Sequence, residues 1–206
     1  MPNLVSLFRV VLIPFLGYFL AQGDSRSTLI CAGLYVLAGI SDGLDGYLAR
    51  KMGQVSQFGI ALDPIADKVL AGALVILLIF YRDFPVWLAA AILGRDLLIL
   101  IAGLLLLKGK KVVVPSNITG KYAFGVMAFL LGSYIIRFEF GIVLTTWVAV
   151  ILLILSTIVY ARVFVLVRKG RPAPVSADKP VYKFLRVGGS VLLLVLFFYK
   201  LTTSLL

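Results

Sequence analysis

Apolar residues in this chain do not alternate with polar ones, nor recur only at one helical face. They run on in seven continuous stretches, at about residues 4–22, 28–47, 64–81, 86–107, 122–136, 142–167 and 188–205. Uninterrupted apolar runs of about 18 residues or more mark helices that cross a bilayer. The pattern therefore predicts an all-α polytopic membrane protein. The fifth run is the shortest. Pro14 falls inside the first, where a membrane helix tolerates it at the cost of a kink.

The polar positions orient the set. One series of alternate loops carries Arg50 and Lys51, then Lys108, Lys110, Lys111 and Lys121, then Arg168, Lys169, Arg171, Lys179, Lys183 and Arg186. The opposite loops hold only Asp24 with Arg26, Arg82 with Asp83, and Arg137 with Glu139. Lys and Arg accumulate on the cytoplasmic side, so the N-terminus is expected inside and the C-terminus outside. Residues 170–180 contain three prolines and mixed charge, which reads as a linker.

Composition agrees. Of the 206 residues 62% are hydrophobic, and the mean hydropathy is +1.09, too apolar for a soluble domain of this size to build a polar exterior. Twenty basic residues against nine acidic ones give a formal charge of +11. Because the basic residues sit in short loops, they point to an anionic lipid surface, and nucleic acid is not expected as a partner. With no histidine, the most common general base and metal ligand is missing. The single cysteine, Cys31, lies within an apolar run and reads as a small packing residue. The N-terminus lacks the charged region and cleavage site of a signal peptide, so the first run is expected to be retained.

Charges beside apolar spans are costly, and each is a functional hypothesis by default. Four of the nine acidic residues fall between positions 42 and 67. Asp42 and Asp45 are three apart at the end of the second run; Asp63 and Asp67 are four apart at the start of the third. Each pair shares a helix face. A tight connection at 51–58 would set the two helix ends side by side and gather four carboxylates at the cytoplasmic boundary. Oxygen ligands suit hard divalent ions: Mg²⁺ is the default, with Mn²⁺ or Ca²⁺ as alternatives. Four carboxylates suffice for two ions, and two ions suit displacement at phosphorus. Gly46 and Ala49 fall on the Asp42/Asp45 face and Gly59 lies one turn before Asp63, leaving room for a ligand near the backbone. Arg50 adds a planar cation suited to phosphate. The bland alternative pairs these acids with Arg50, Lys51 and Lys68 at a helix end. A third reading, a divalent-cation carrier, predicts acids near mid-bilayer in several helices, whereas these sit at helix ends on one side.

The stretch Asp42-Gly-Leu-Asp45-Gly46-Tyr-Leu-Ala49-Arg50, eight further residues, then Gly59-Ile-Ala-Leu-Asp63-Pro-Ile-Ala-Asp67 resembles the signature of the CDP-alcohol phosphotransferases at every fixed position. The resemblance implies a six-helix core over residues 1–169, followed here by a linker, 170–187, and an extra seventh transmembrane helix in 188–206. It implies attack of an alcohol on CDP-diacylglycerol with release of CMP. By position, Asp42, Asp45 and Asp63 would hold two divalent ions, with Asp67 a further ligand and the catalytic base. Gly46, Ala49 and Gly59 would line the CDP site, and Arg50 would meet the diphosphate. Members often form homodimers.

For the acceptor, residues 2–9 and 62–68 resemble the phosphatidylglycerophosphate synthase and eukaryote-type cardiolipin synthase branches. Gly94-Arg95-Asp96 is similar to the cardiolipin branch, and Tyr122, Ala123, Phe124 and Met127 depart from the glycerophosphate one. The expected acceptor is glycerol 3-phosphate, with phosphatidylglycerol the alternative. Arg95, within the fourth run, reads either as an anion site for the acceptor or as a partner of a motif aspartate. Lys121 and Arg162 face the same side, as acceptor ligands or as headgroup-level charges. The expected location is a bacterial inner membrane, with the site facing the cytoplasm.

Overall fold

The computed structural model describes the backbone of residues 2–52, 57–107 and 118–169, with residues 199 and 203, and the side chains of 8–41, 68–102, 120 and 122–169. Among these residues every regular element is an α-helix: α1 (Pro2–Gln22), α2 (Ser25–Met52), α3 (Gln57–Arg82), α4 (Val86–Leu107), α5 (Ile118–Ile135) and α6 (Glu139–Arg168). The all-α expectation holds, and α4 coincides with the fourth apolar run. The second and third helices depart from theirs. α2 continues through the polar motif to Met52 and α3 begins at Gln57, so the connection is shorter than the expected 51–58. α5 likewise starts four residues before its apolar run. The linker 170–187 and the seventh span lie outside the described residues, apart from positions 199 and 203.

The chain divides into two compact units. In the first, α1 packs on both α2 and α3. Arg9, Leu12, Leu16 and Leu20, spaced by three and four, make the buried stripe of α1. Cys31 and Ala32 from α2, and Leu74, Val75 and Leu78 from α3, complete this core. Gly17 permits a close approach of α1 to α3: a Cβ there would lie 3.2 Å from a methyl of Leu77. Asp24 caps α2, its carboxylate accepting the backbone N–H of Ser27 at 3.1 Å while its carbonyl accepts that of Thr28. Hydrogen bonds from the Ser27 side chain and backbone hold the Asp24 carboxyl below its usual pKa.

The second unit holds α4, α5 up to Ser133, and α6. α6 packs through Thr145, Ala149, Leu153 and Ser156, spaced by four, four and three, and α4 through Leu88, Ala89 and Ile92. Gly141, in the first turn of α6, has no room for a side chain. An added Cβ would lie 2.7 Å from Ser133 Oγ and closer still to the Phe138 ring.

Many large apolar side chains among the described residues are exposed. Phe80 is 76% exposed, Trp147 67% and Phe140 64%. Large apolar side chains exposed in such numbers belong to a surface that meets lipid or another protein. Among the described residues one helix, α6, is both long and apolar enough to span a bilayer, with shorter apolar helical stretches at Phe8–Gln22, Ser25–Ser41 and Tyr122–Ile135.

Candidate active site

The structure carries all eight motif positions on helix. Asp42, Asp45, Gly46, Ala49 and Arg50 stand on the last three turns of α2, and Gly59, Asp63 and Asp67 on the first three of α3. Helical backbone runs unbroken through both segments, so the spacings of three and four place each aspartate pair on one face. Both helices pack on α1 in the same unit. The side chains of Asp42, Asp45, Gly46, Ala49, Arg50, Gly59, Asp63 and Asp67 lie outside the described residues, and so does the expected meeting of the carboxylates. No group of three or more potential metal ligands occurs among the described side chains. As a donor set, four carboxylates fit a hard divalent ion.

Arg95 is better defined. It sits midway along α4, where a guanidinium must find partners or be costly to keep. Its side chain is 16% exposed, and its Nη1 lies 2.6 Å from Asp96 Oδ1. Its Nε donates to Ser156 Oγ of α6 at 3.3 Å. The guanidinium carbon stands 5.5 Å from the ring centroid of Tyr160, one turn further along α6. The ion pair it makes is with the neighbouring Asp96; the side chains of the motif aspartates, one partner the sequence suggested, lie outside the described residues. Lys121 follows Gly120 on α5, but its side chain lies outside the described residues. Arg162 is exposed on α6. Ser156 and Tyr160 escaped the sequence reading, because they look like ordinary members of an apolar run.

A buried cation at the end of α3 was also missed. Arg82 reads in sequence as a loop charge beside Asp83, yet it belongs to the last turn of α3 and is 6% exposed. Its Nη2 donates to Thr28 Oγ1 at 2.9 Å, and its Nε and Nη1 reach the carbonyls of Ile135 and Tyr81 at 3.4 and 3.3 Å. These bonds tie the start of α2 and the end of α3 to the segment Tyr134–Arg137, where Phe84 and Tyr134 pack ring to ring at 4.7 Å. Arg82 occupies the end of α3 opposite the aspartates, so it braces the unit and takes no part in the candidate site.

Comparison with known proteins gives these observations a family. A Drosophila melanogaster protein named Probable cardiolipin synthase (CMP-forming) is 44% identical over 103 residues, half of this chain but only 31% of the relative. The rat Cardiolipin synthase (CMP-forming) is 43% identical over 102 residues, 49% of this chain and 33% of the relative. The match thus spans about a third of those two proteins' length. CDP-diacylglycerol–glycerol-3-phosphate 3-phosphatidyltransferase of Bacillus subtilis is 35% identical over 177 residues, covering 76% of this chain and 90% of the relative. The model of the CDP-alcohol phosphatidyltransferase family, whose members are membrane proteins and generally depend on a divalent metal, matches residues 1–145, the span that holds the motif and Arg95 alike. The chain belongs to the CDP-alcohol phosphatidyltransferase family.

Proposed function

We propose that this chain is a phospholipid-synthesising transferase that moves a phosphatidyl group from CDP-diacylglycerol to a glycerol-based acceptor. The observation that carries the reading is the eight-position motif standing in continuous helix on both sides of its connection. In the reaction, the acceptor hydroxyl oxygen attacks the phosphorus that bears diacylglycerol. The bond from that phosphorus to the CMP oxygen breaks, CMP leaves, and the hydroxyl proton passes to a base. Asp67 is that base, since a carboxylate beside a metal can take the proton during attack. Asp42, Asp45 and Asp63, with Asp67, would hold two Mg²⁺ or Mn²⁺ ions, which would supply charge neutralisation at the phosphate oxygens and the leaving group. Gly46, Ala49 and Gly59 leave space for the CDP moiety, and Arg50 meets its diphosphate. Arg95, Lys121 and Arg162 serve the acceptor.

Glycerol 3-phosphate is our first choice of acceptor, because the relative named for that substrate matches over 90% of its own length. Phosphatidylglycerol is the second, supported by the higher identity to proteins named cardiolipin synthase over a shorter stretch. We place the chain in a bacterial inner membrane with seven spans and its motif facing the cytoplasm, on the strength of its loop charges. Incubating the purified protein with CDP-diacylglycerol, Mg²⁺ and each acceptor in turn, with products identified by mass, tests the reading. CMP release with glycerol 3-phosphate, giving phosphatidylglycerophosphate, is expected. Release with phosphatidylglycerol alone would transfer the assignment to cardiolipin synthesis, and release with neither would refute it.

A further inference from the structure

We propose that Arg9 is the internal counter-ion of the motif carboxylates, a positioning residue whose charge keeps the aspartates together when no divalent ion is bound and lowers the affinity of the site for that ion. The inference rests on the reading of Asp42 and Asp67 as metal ligands, and adds a residue of α1 to which that reading gives no role.

Arg9 is the largest fully buried side chain among the described residues, 1% exposed within the stripe of α1 that packs on α2 and α3. A guanidinium withdrawn this far from water keeps its charge only where acceptors or opposite charges meet it. Helix register shows which charges stand at its level. Leu16 of α1 lies against Cys31 of α2, whose Sγ is 3.9 Å from the Leu16 carbonyl. These two helices are joined by a short turn and run antiparallel, so the same register brings Arg9 level with Ala38, itself buried. Asp42 follows Ala38 by one turn on the same helix face, about 6 Å further on. α3 leads to the same place. Its end meets the start of α2 through the 2.9 Å bond from Arg82 to Thr28, so it runs parallel to α1, and Leu77 lies against Gly17. That register sets Arg9 level with Val69, about half a turn past Asp67. Asp67 shares its helix face with Leu74 and Leu78, which enter this core. Side chains of a helix lean toward its N-terminus, and on α1 that is the direction of both aspartates. The long arm of Arg9 therefore carries its charge toward the level of Asp42 and Asp67.

Carboxylates gathered at two helix ends repel one another unless cations stand among them, and a buried guanidinium offsets part of that charge at all times. The same fixed charge opposes a divalent ion, so removing it should tighten metal binding and loosen the empty protein. Arg82 cannot take this part: its acceptors, Thr28 and the carbonyls of Tyr81 and Ile135, lie at the other end of α3.

The test uses the full-length protein in detergent with Mn²⁺ as the probe. Binding is read from the electron paramagnetic resonance signal of the free ion, and stability from the thermal midpoint. Arg9→Met removes the charge and keeps the length, whereas Arg9→Lys keeps the charge. Arg9→Met should bind Mn²⁺ roughly ten-fold more tightly than the wild type, because a like charge near the site is gone, and Arg9→Lys should stay within about two-fold. In chelator Arg9→Met should melt below the wild type, and saturating Mn²⁺ should restore most of the difference. Adding Asp42→Asn to Arg9→Met should raise the midpoint in chelator, since one repelling charge is removed. A role in packing alone predicts an equal fall with and without Mn²⁺ and an unchanged affinity. If the wild type binds Mn²⁺ while Arg9→Met neither tightens binding nor gains from Asp42→Asn, Arg9 is not the counter-ion and the metal site stands. Rescue by Asp42→Asn in a protein that binds no Mn²⁺ would uphold the counter-ion and refute the metal reading. Absence of both binding and rescue would sink both. Should Arg9→Met not accumulate, Arg9→Gln makes the same comparison; failure of both to fold when purified in saturating Mn²⁺, which should replace the lost charge, would overturn the proposal.

Discussion

Single residues in this chain divide into those whose chemistry is spelled locally and those whose partners come from far along the chain. The aspartates are of the first kind. Their spacing within 26 positions, 42 to 67, is enough to call for a hard cation, whatever the rest of the fold does. Asp42→Asn or Asp63→Asn should therefore abolish CMP release, by at least about a hundred-fold if a metal ligand is lost, while the thermal midpoint stays within a few degrees of wild type. A chelator should mimic the variants reversibly on the wild type. Near-normal turnover in either variant would exclude the metal role. Arg82 and Tyr160 are of the second kind. Nothing next to Arg82 announces that Thr28 and Ile135 will receive its protons, 54 and 53 positions away. Nothing beside Tyr160 announces Arg95. Helix pairing decides both, and a local pattern does not contain it.

At the scale of the element, the apolar runs locate helices by the part that contacts lipid. α4 is apolar to both ends apart from Arg95 and Asp96, so its bounds were legible; α2 and α3 carry polar extensions, where hydrophobicity is silent and helical spacing of the motif is the better guide. Ends are governed by small devices. Asp24 supplies the first-turn acceptor of α2, so Asp24→Ala should lower the thermal midpoint and Asp24→Asn, which keeps an acceptor, should lower it less. The folded carboxyl titrates below its ordinary value of 3.8, so its contribution is complete above that value. It is lost as the pH falls through the lower, folded value, and the difference between wild type and Asp24→Asn should shrink in that acid range alone. At the start of α6, Gly141→Ala sets helix propensity, which favours alanine by about 1 kcal/mol, against a methyl forced onto Phe138 and Ser133. Overpacking of a tight site costs about 1–3 kcal/mol, and at a separation of 2.7 Å it should prevail. A higher thermal midpoint for Gly141→Ala would show that the turn yields.

For the molecule as a whole, the decisive question is which helix ends share a side of the membrane, and charge is the strongest evidence. Arg50 and Lys51 stand in the last turn of α2, Lys108 to Lys111 follow α4, and Arg168 with Lys169 close α6, whereas the connections after α1, α3 and α5 carry almost no net charge. The structure sharpens the contrast, since Arg82 is buried and committed to internal acceptors, and so contributes little to the charge of its own loop. Moving a basic connection through a bilayer is unfavourable, so the proposed topology keeps the basic connections and the tail of α6 on the cytoplasmic side. Cysteine labelling in intact cells can read this directly, and the native thiol does not interfere: Cys31 is fully buried, with its sulfur 3.9 Å from the Leu16 carbonyl. Lys110→Cys should react with a membrane-impermeant maleimide only after the cells are opened. Glu139→Cys, at an exposed position beginning α6, should react from outside. Leu206→Cys should also react from outside if residues 188–205 cross as a seventh span, and from inside if they do not. Reaction of Lys110→Cys and Glu139→Cys from the same side would mean that α5 does not cross, and the placement of the motif would have to be argued again from that result.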